Sequence, residues 1–238
     1  MLHYYFIIGS VSLWTALCIP FTILGKLFDP AGYLSHRVGR VWSLGVLKIS
    51  SVKVEIEGLQ NIDTNKQYIF ISNHTSAFDI PAFYWGIPNK QGMLAKKQLK
   101  YVPFFGWAMW AAGHYFVDRH NHRKALAIMD QVAVLMSKDK SHSLVIFAEG
   151  TRSLDGQLQP FKKGAFVLSL DTGIPIVPVI INGAFKAKRK QGRRIVATTI
   201  KLTVLSPMQP KDYGSDTRQQ FLDDAHDLFV KHYIPPSN

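Results

Sequence analysis

The chain has 238 residues, 47% of them hydrophobic, 12% aromatic and only 18% charged. That is too apolar and too rich in rings for a disordered, collagenous or low-complexity chain, and one large domain with its own core is the expected unit. Twenty-eight Lys and Arg against 16 Asp and Glu leave a formal charge of +12, so the expected partner is anionic: nucleic acid, an acidic membrane surface or a phosphorylated small molecule. The single cysteine, Cys18, excludes an internal disulfide and a thiolate metal cluster, and does not suit an oxidising compartment.

From Met1 to Gly25 there is no Asp, Glu, Lys or Arg, and Tyr4 to Gly25 is apolar over about the length that crosses a hydrocarbon core of roughly 30 Å. A cleaved signal peptide fits poorly, because the basic leading region and an Ala-x-Ala-like cleavage site are missing. Pro20, with Gly9 and Ser10, leaves two topologies open: a spanning helix, or a helical hairpin lying in one leaflet. Lys26, Arg37, Arg40 and Lys48 follow the segment while only His3 precedes it, so the positive-inside bias predicts the rest of the chain on the cytoplasmic side.

Val52, Val54 and Ile56 alternate with Lys53, Glu55 and Glu57, the period of a half-buried strand ending at Gly58. Residues 68–72, 144–147 and 176–181 are short continuous apolar runs, as expected of strands covered on both faces. Ala125, Met129, Val132 and Met136 recur at helical spacing over 123–138, as do Phe221, Leu222, Ala225, Leu228 and Phe229 near the end of the chain. Strands alternating with helices predict an α/β fold, with a central mostly parallel or mixed sheet flanked by helices. Lys186 to Arg194 (KAKRKQGRR) is the one charge run, read either as a headgroup-binding patch or as a solvated loop. Val102 to Val117 is aromatic-rich but too short to span; ordinary core, the wall of a chain tunnel and a bilayer-docking surface all fit it.

Two of the expected strands end in polar clusters, and in open α/β sheets ligands collect at the carboxyl ends of strands. The first cluster is Asn73-His74-Thr75-Ser76-Ala77-Phe78-Asp79. On a continuous helix His74 and Asp79 would diverge by about 140°, so they meet only across a strand-loop-helix junction. Pro81 suits the first turn of that helix. Asp79 then reads either as a helix cap or as the carboxylate partner of a catalytic His74. The second cluster, Phe147 to Ser153, puts Gly150, Thr151 and Arg152 in one loop, a donor set for an anion; an ion pair between Glu149 and Arg152 is the alternative.

Taken in order, Asn-His-x-x-x-x-Asp at 73–79, Gly-x-x-Phe-x-Asp-Arg at 113–119, Phe-x-Glu-Gly-Thr-Arg at 147–152 and the Pro-x-x-Pro strand at 174–179 resemble the four blocks of the glycerolipid acyltransferases. The resemblance extends to Ala95 to Leu99, Pro103 to Gly106 and Pro160 to Ala165, and covers roughly residues 50–185. Two departures are visible: Ala148 stands where the family usually has proline, which bears on loop rigidity, and His114 with Tyr115 replace smaller or aliphatic residues, which bears on substrate choice.

The resemblance implies transfer of a fatty acyl group from acyl-CoA or acyl-carrier protein to the sn-2 hydroxyl of lysophosphatidate. Residues 1–48 would be a membrane-anchoring segment and 49–238 the acyltransferase domain. His74 would take the hydroxyl proton, and Asp79 would fix its tautomer and stabilise the imidazolium. No Gly-x-Ser-x-Gly elbow is present and Cys18 lies in the apolar segment, so direct transfer is expected, with Ser76 the leftover nucleophile candidate. Lys96 and backbone N–H groups near Gly150 are the candidate oxyanion donors. Arg152 would hold the acceptor phosphate beside Thr151, with Arg119, Lys162 and Lys163 as helpers and Glu149 orienting Arg152. The implied partners are membrane lipids, the acyl donor and lysophosphatidate, with no nucleic acid, no metal and no cofactor. Rival readings are the same chemistry on another acceptor (glycerol 3-phosphate, a lyso-ornithine lipid or a lysophospholipid), a non-catalytic basic membrane-binding module, and a metal hydrolase using His74, Asp79 and Glu149.

Overall fold

A computed structural model describes residues 1–118, 122–214 and 216–236. Arg119 therefore lies outside the described residues. Seven strands, β1 (Val52–Glu57), β2 (Ile69–Ser72), β3 (Gln91–Lys96), β4 (Tyr115–Val117), β5 (Ser143–Phe147), β6 (Ile176–Asn182) and β7 (Thr198–Val204), form one sheet in the order β1-β7-β6-β2-β5-β3-β4. The β6–β7 pair is antiparallel and the other neighbours run parallel, the mostly parallel mixed sheet that the patterning predicts. The helices are α1 (Leu2–Phe28), α2 (Tyr33–Ile49), α3 (Asp79–Gly86), α4 (Phe105–Ala111), α5 (His122–Lys138), α6 (Gly164–Thr172), α7 (Ala184–Ala187) and α8 (Arg218–His232).

The continuous apolar runs are explained by a core on each side of the sheet. Ile69, Ile71, Leu144, Ile146, Ile176 and Ile180 pack with Val132 and Met136 of α5, Phe166 of α6 and Phe221 and Phe229 of α8. The alternate residues Phe70, Val145, Val177, Val179 and Ile181 pack with Val46 and Leu47 of α2 and Phe83 of α3. A polar residue on either face would be stranded in apolar surroundings, whereas each large side chain fully buried there contributes about 1.5–3 kcal/mol. This two-sided burial holds the carboxyl ends of the central strands at fixed relative heights.

The N-terminal segment is a hairpin of two helices, but its reversal is not at Gly9 or Pro20. α1 runs unbroken through Pro20, and the chain turns at Asp29 to Gly32. There Gly32 N–H donates to Asp29 O at 2.8 Å, the Asp29 carboxylate accepts Leu34 N–H at 2.9 Å, and Gly32 takes the positive φ (84°) that favours glycine. The two helices are joined by Trp14 Nε1–H to Trp42 O at 3.0 Å, Trp42 Nε1–H to Thr15 Oγ1 at 2.9 Å and Ser35 Oγ–H to Thr22 O at 2.9 Å. The other face of α1 leaves Phe6, Leu13, Leu17, Phe21, Leu27 and Phe28 exposed. By length and composition α1 is long and apolar enough to cross a membrane.

Candidate active site

β6, β2 and β5 lie side by side and parallel, with Ser72 opposite both Phe147 and Val179. β3 runs parallel beside β5 and ends at Lys96. The loops leaving these four strands therefore emerge on one edge of the sheet: 73–79 after β2, 148–153 after β5, Lys96 at the end of β3, and 183–194 after β6.

The loop after β2 brings together the two residues that a helix would have separated. His74 Nδ1 lies 2.7 Å from Asp79 Oδ2, and that oxygen also accepts Thr75 N–H at 2.7 Å and Ser76 N–H at 2.8 Å. Asp79 opens α3 and has no exposure to solvent, and Pro81 sits in the first turn as expected. Asp79 is not the cap of its own helix; it gathers donors from the loop before it, so the capping alternative fails. The imidazole is also stacked on Phe147, with ring centroids 4.0 Å apart and planes 16° apart. With Nδ1 donating to a carboxylate, Nε2 is the basic nitrogen, and the ring lines the cavity described below.

Three sets of contacts fix this loop to its surroundings. Asn73 pairs through its side-chain amide with both Ile181 O (2.9 Å) and Ile181 N–H (2.8 Å), extending the β2–β6 ladder by one side chain. Ser76 Oγ donates to Lys188 O at 2.8 Å and accepts Phe78 N–H, so it is a loop tie and not an activated nucleophile. Glu149 departs from expectation. It does not pair with Arg152 and is not part of the cavity wall; it is 3% exposed, and its Oε1 accepts His74 N–H at 2.8 Å. Burial pushes its carboxyl up to about 7, opposed by the His74 N–H and reinforced by the charge of Asp79. Glu149 is thus a positioning residue for the backbone of His74.

The loop after β5 begins with a further β bond, Ala148 N–H to Ser72 O at 2.9 Å. A proline at 148 would lack that donor, so the alanine adds a rung to the ladder. Gly150 has φ +72°, and a Cβ there would meet Lys162 Cε at 2.7 Å; the glycine lets the lysine stem cross the loop. Its N–H closes a turn onto Phe147 O at 2.9 Å. That removes Gly150 N–H from the candidate oxyanion donors.

Lys96, Gly150, Thr151 and Arg152 share with His74 the wall of a cavity of about 860 Å³, within the range of small-molecule sites. Lys162 lines it and Lys163 does not. Its apolar wall includes Ile19 of α1, Trp42 of α2, Ile80 of α3, Met93 of β3, and Phe105 and Met109 of α4. The segment 102–117 thus divides its faces: Phe105, Ala108, Met109, Ala112 and His114 turn to the cavity, while Phe104, Trp107 and Trp110 are 60%, 61% and 64% exposed. Tyr84 and His114 supply polar wall; His114 Nδ1 accepts Met93 N–H at 3.1 Å, and burial pulls the imidazole down to about 4, so it is neutral. Lys190, which sequence reasoning placed only in an undifferentiated basic run, also lines the cavity beside Arg152.

The site joins a buried His–Asp pair to one cavity that is cationic at one part of its wall and apolar along the rest. The acyltransferase family model matches residues 53–182, and the chain belongs to that family. It is similar to the 1-acyl-sn-glycerol-3-phosphate acyltransferase of Cocos nucifera, 36% identical over 204 residues, which is 85% of this chain and 63% of that protein. The protein of the same name from Limnanthes alba is 33% identical over 236 residues, covering 98% of this chain and 82% of its own length. Among solved structures, the 1-acyl-sn-glycerophosphate (LPA) acyltransferase PlsC of Thermotoga maritima has the same fold, with a TM-score of 0.75 over 97% of this chain and 92% of that one at 20% identity.

Proposed function

We propose that this enzyme transfers a fatty acyl group from a thioester donor, acyl-CoA or acyl-carrier protein, to the sn-2 hydroxyl of lysophosphatidate, forming phosphatidate for phospholipid synthesis. The observation that carries the reading is His74, held through Nδ1 by Asp79, facing one cavity that also holds Arg152 and an apolar wall. Both named relatives carry the matching activity in their names.

In this mechanism His74 Nε2 takes the proton of the acceptor hydroxyl as its oxygen attacks the thioester carbonyl. Asp79 stabilises the imidazolium and keeps Nδ1 protonated, the part an aspartate plays in a serine-hydrolase triad. The tetrahedral intermediate places a negative charge on the former carbonyl oxygen, for which Lys96 is the candidate donor, and such donors are each worth about 3–4 kcal/mol. Collapse breaks the carbon–sulfur bond, and the imidazolium returns the proton to the departing thiolate. Arg152, with Lys162 beside it, holds the acceptor phosphate. The acyl donor is a substrate, and the mechanism uses no resident cofactor. The exposed apolar face of α1 and the outward Phe104, Trp107 and Trp110 of α4 suit a membrane interface, where aromatic rings anchor; the catalytic domain then lies on the cytoplasmic side.

The test is an acceptor panel. Purified protein in vesicles is given acyl-CoA with an equimolar mixture of lysophosphatidate, glycerol 3-phosphate, a lyso-ornithine lipid and lysophosphatidylcholine, and the product lipids are identified by mass spectrometry. Phosphatidate as the dominant product is expected. Acylation of another acceptor in preference moves the enzyme to that substrate, and no acylation at all returns it to a membrane-binding module.

A further inference from the structure

Lys190 sits in the loop that leaves β6 through Gly183 and α7, and that loop is tied down at both ends. Ser76 Oγ donates to Lys188 O at 2.8 Å, which fastens the loop to the His74 segment. Lys188 Nζ donates to Gly192 O at 3.0 Å, which closes the loop on itself. Between these ties the Lys190 ammonium donates to Arg152 O at 2.8 Å and Thr151 Oγ1 at 3.3 Å. Lys190, Arg152 and Lys162 line one cavity with His74. Among the described residues, the ion pairs involve Lys66, His74, Lys90, Lys97 and Lys201, and none neutralises these three cations. The adjacent carboxylate, Glu149, is turned to His74 N–H.

Positive charges gathered without a counter-charge cost free energy in the empty site and return it when an anion binds. Burial and the charge of Arg152 also hold Lys188 below the usual lysine range. A phosphate monoester carries about −1.5 to −2 charges at neutral pH, whereas a phosphodiester carries one. Resting on the acceptor reading above, we infer that Lys190 is a specificity-determining residue for that acceptor. It adds a third cation to Arg152 and Lys162, so that the site selects a lipid ending in a phosphate monoester over lysolipids whose phosphate is a diester. With substrate bound, the ammonium keeps Arg152 O and turns its remaining donors to the phosphate.

The experiment measures acylation of lysophosphatidate by the full chain, by Lys190→Ala and by Lys190→Arg, with inorganic phosphate and dimethyl phosphate as competing anions. Loss of a charge-assisted contact predicts that Lys190→Ala raises KM for lysophosphatidate by about tenfold or more, with kcat and the donor KM little changed. The inhibition constant of inorganic phosphate should rise in parallel while that of dimethyl phosphate stays put, and Lys190→Arg should recover most of the loss. An unchanged KM in Lys190→Ala overturns the inference, as does a fall in kcat that arginine does not rescue, which would mark Lys190 as a strap between two loops. If the unaltered enzyme does not acylate lysophosphatidate, the acceptor reading falls first and this inference with it.

Discussion

In the loop after β2 the polar groups are turned inward. One oxygen of Asp79 receives three hydrogen bonds, Asn73 is paired on both sides of its amide, and His74 is clamped between Asp79, Phe147 and Glu149. In the loop after β5, Thr151 is exposed, Arg152 is half-buried, and the neighbouring Lys190 ammonium is joined to a backbone oxygen and a hydroxyl oxygen. The two loops start at the same height on neighbouring strands, so topology alone does not make them different. Chemistry at a nitrogen requires a fixed tautomer and ring orientation, and the first loop is over-determined to supply them. Capture of an anion, in the reading proposed above, requires a cation without a carboxylate partner, and among the described residues no ion pair neutralises Arg152.

Substitutions on the two sides should accordingly fail in different ways. Asp79→Asn keeps the shape of the first loop and removes its charge. In a serine-hydrolase triad that change lowers kcat by about 10⁴-fold, and here a fall on the order of 10³-fold is expected, with acceptor KM little altered. Arg152→Ala should do the reverse, raising acceptor KM roughly 10- to 100-fold through the loss of charge-assisted contacts while kcat changes little. A shared kcat defect in both variants would break the division between the loops.

Glu149→Gln sharpens the comparison with a smaller effect, and on stability more than on rate. Glutamine keeps an acceptor for His74 N–H. In the wild type the folded carboxyl holds its proton up to about 7 instead of 4.5. The protonated group is therefore fully accommodated below pH about 4.5, and stability is lost as pH rises from there through about 7, by an amount on the order of 3 kcal/mol. The melting temperature of Glu149→Gln minus that of the wild type should thus climb between about pH 4.5 and pH 7. A flat difference would mean that the buried carboxylate is stabilised by something other than the contacts named here.

The central sheet was legible because its strands are buried on both faces, which leaves an unbroken apolar run at 68–72, 144–147 and 176–181. β3 was missed because it begins at Gln91 and Gly92, after Asn89 and Lys90. Lys90 is buried because tertiary partners satisfy it, Asp139 Oδ2 and Ala31 O accepting from its Nζ at 2.8 and 2.9 Å. β4 is three residues long and carries no periodic signal. β7 does carry one, with Ile200, Leu202 and Val204 buried between more exposed neighbours, and the alternation is visible in TTIKLTV. The meeting of His74 and Asp79 was one of two readings that the Pro81 helix start allowed, the other being a capping aspartate. Two parts of the site did not follow from local pattern. Lys190 is one of six like charges until β6 is placed beside β2, and Ile19 and Trp42 line the cavity only because α1 and α2 fold back over α3 and α4.

The claim on which the rest depends is that the imidazole of His74 moves the proton of a lipid hydroxyl. It is tested by measuring phosphatidate formed from acyl-CoA and lysophosphatidate by His74→Ala in vesicles, with vesicle binding and melting temperature recorded on the same sample. Turnover should fall by about 10²- to 10⁴-fold, the range for loss of a general base, while binding and folding are retained. Turnover within a few-fold of the wild type, in protein equally folded and equally membrane-bound, would contradict it.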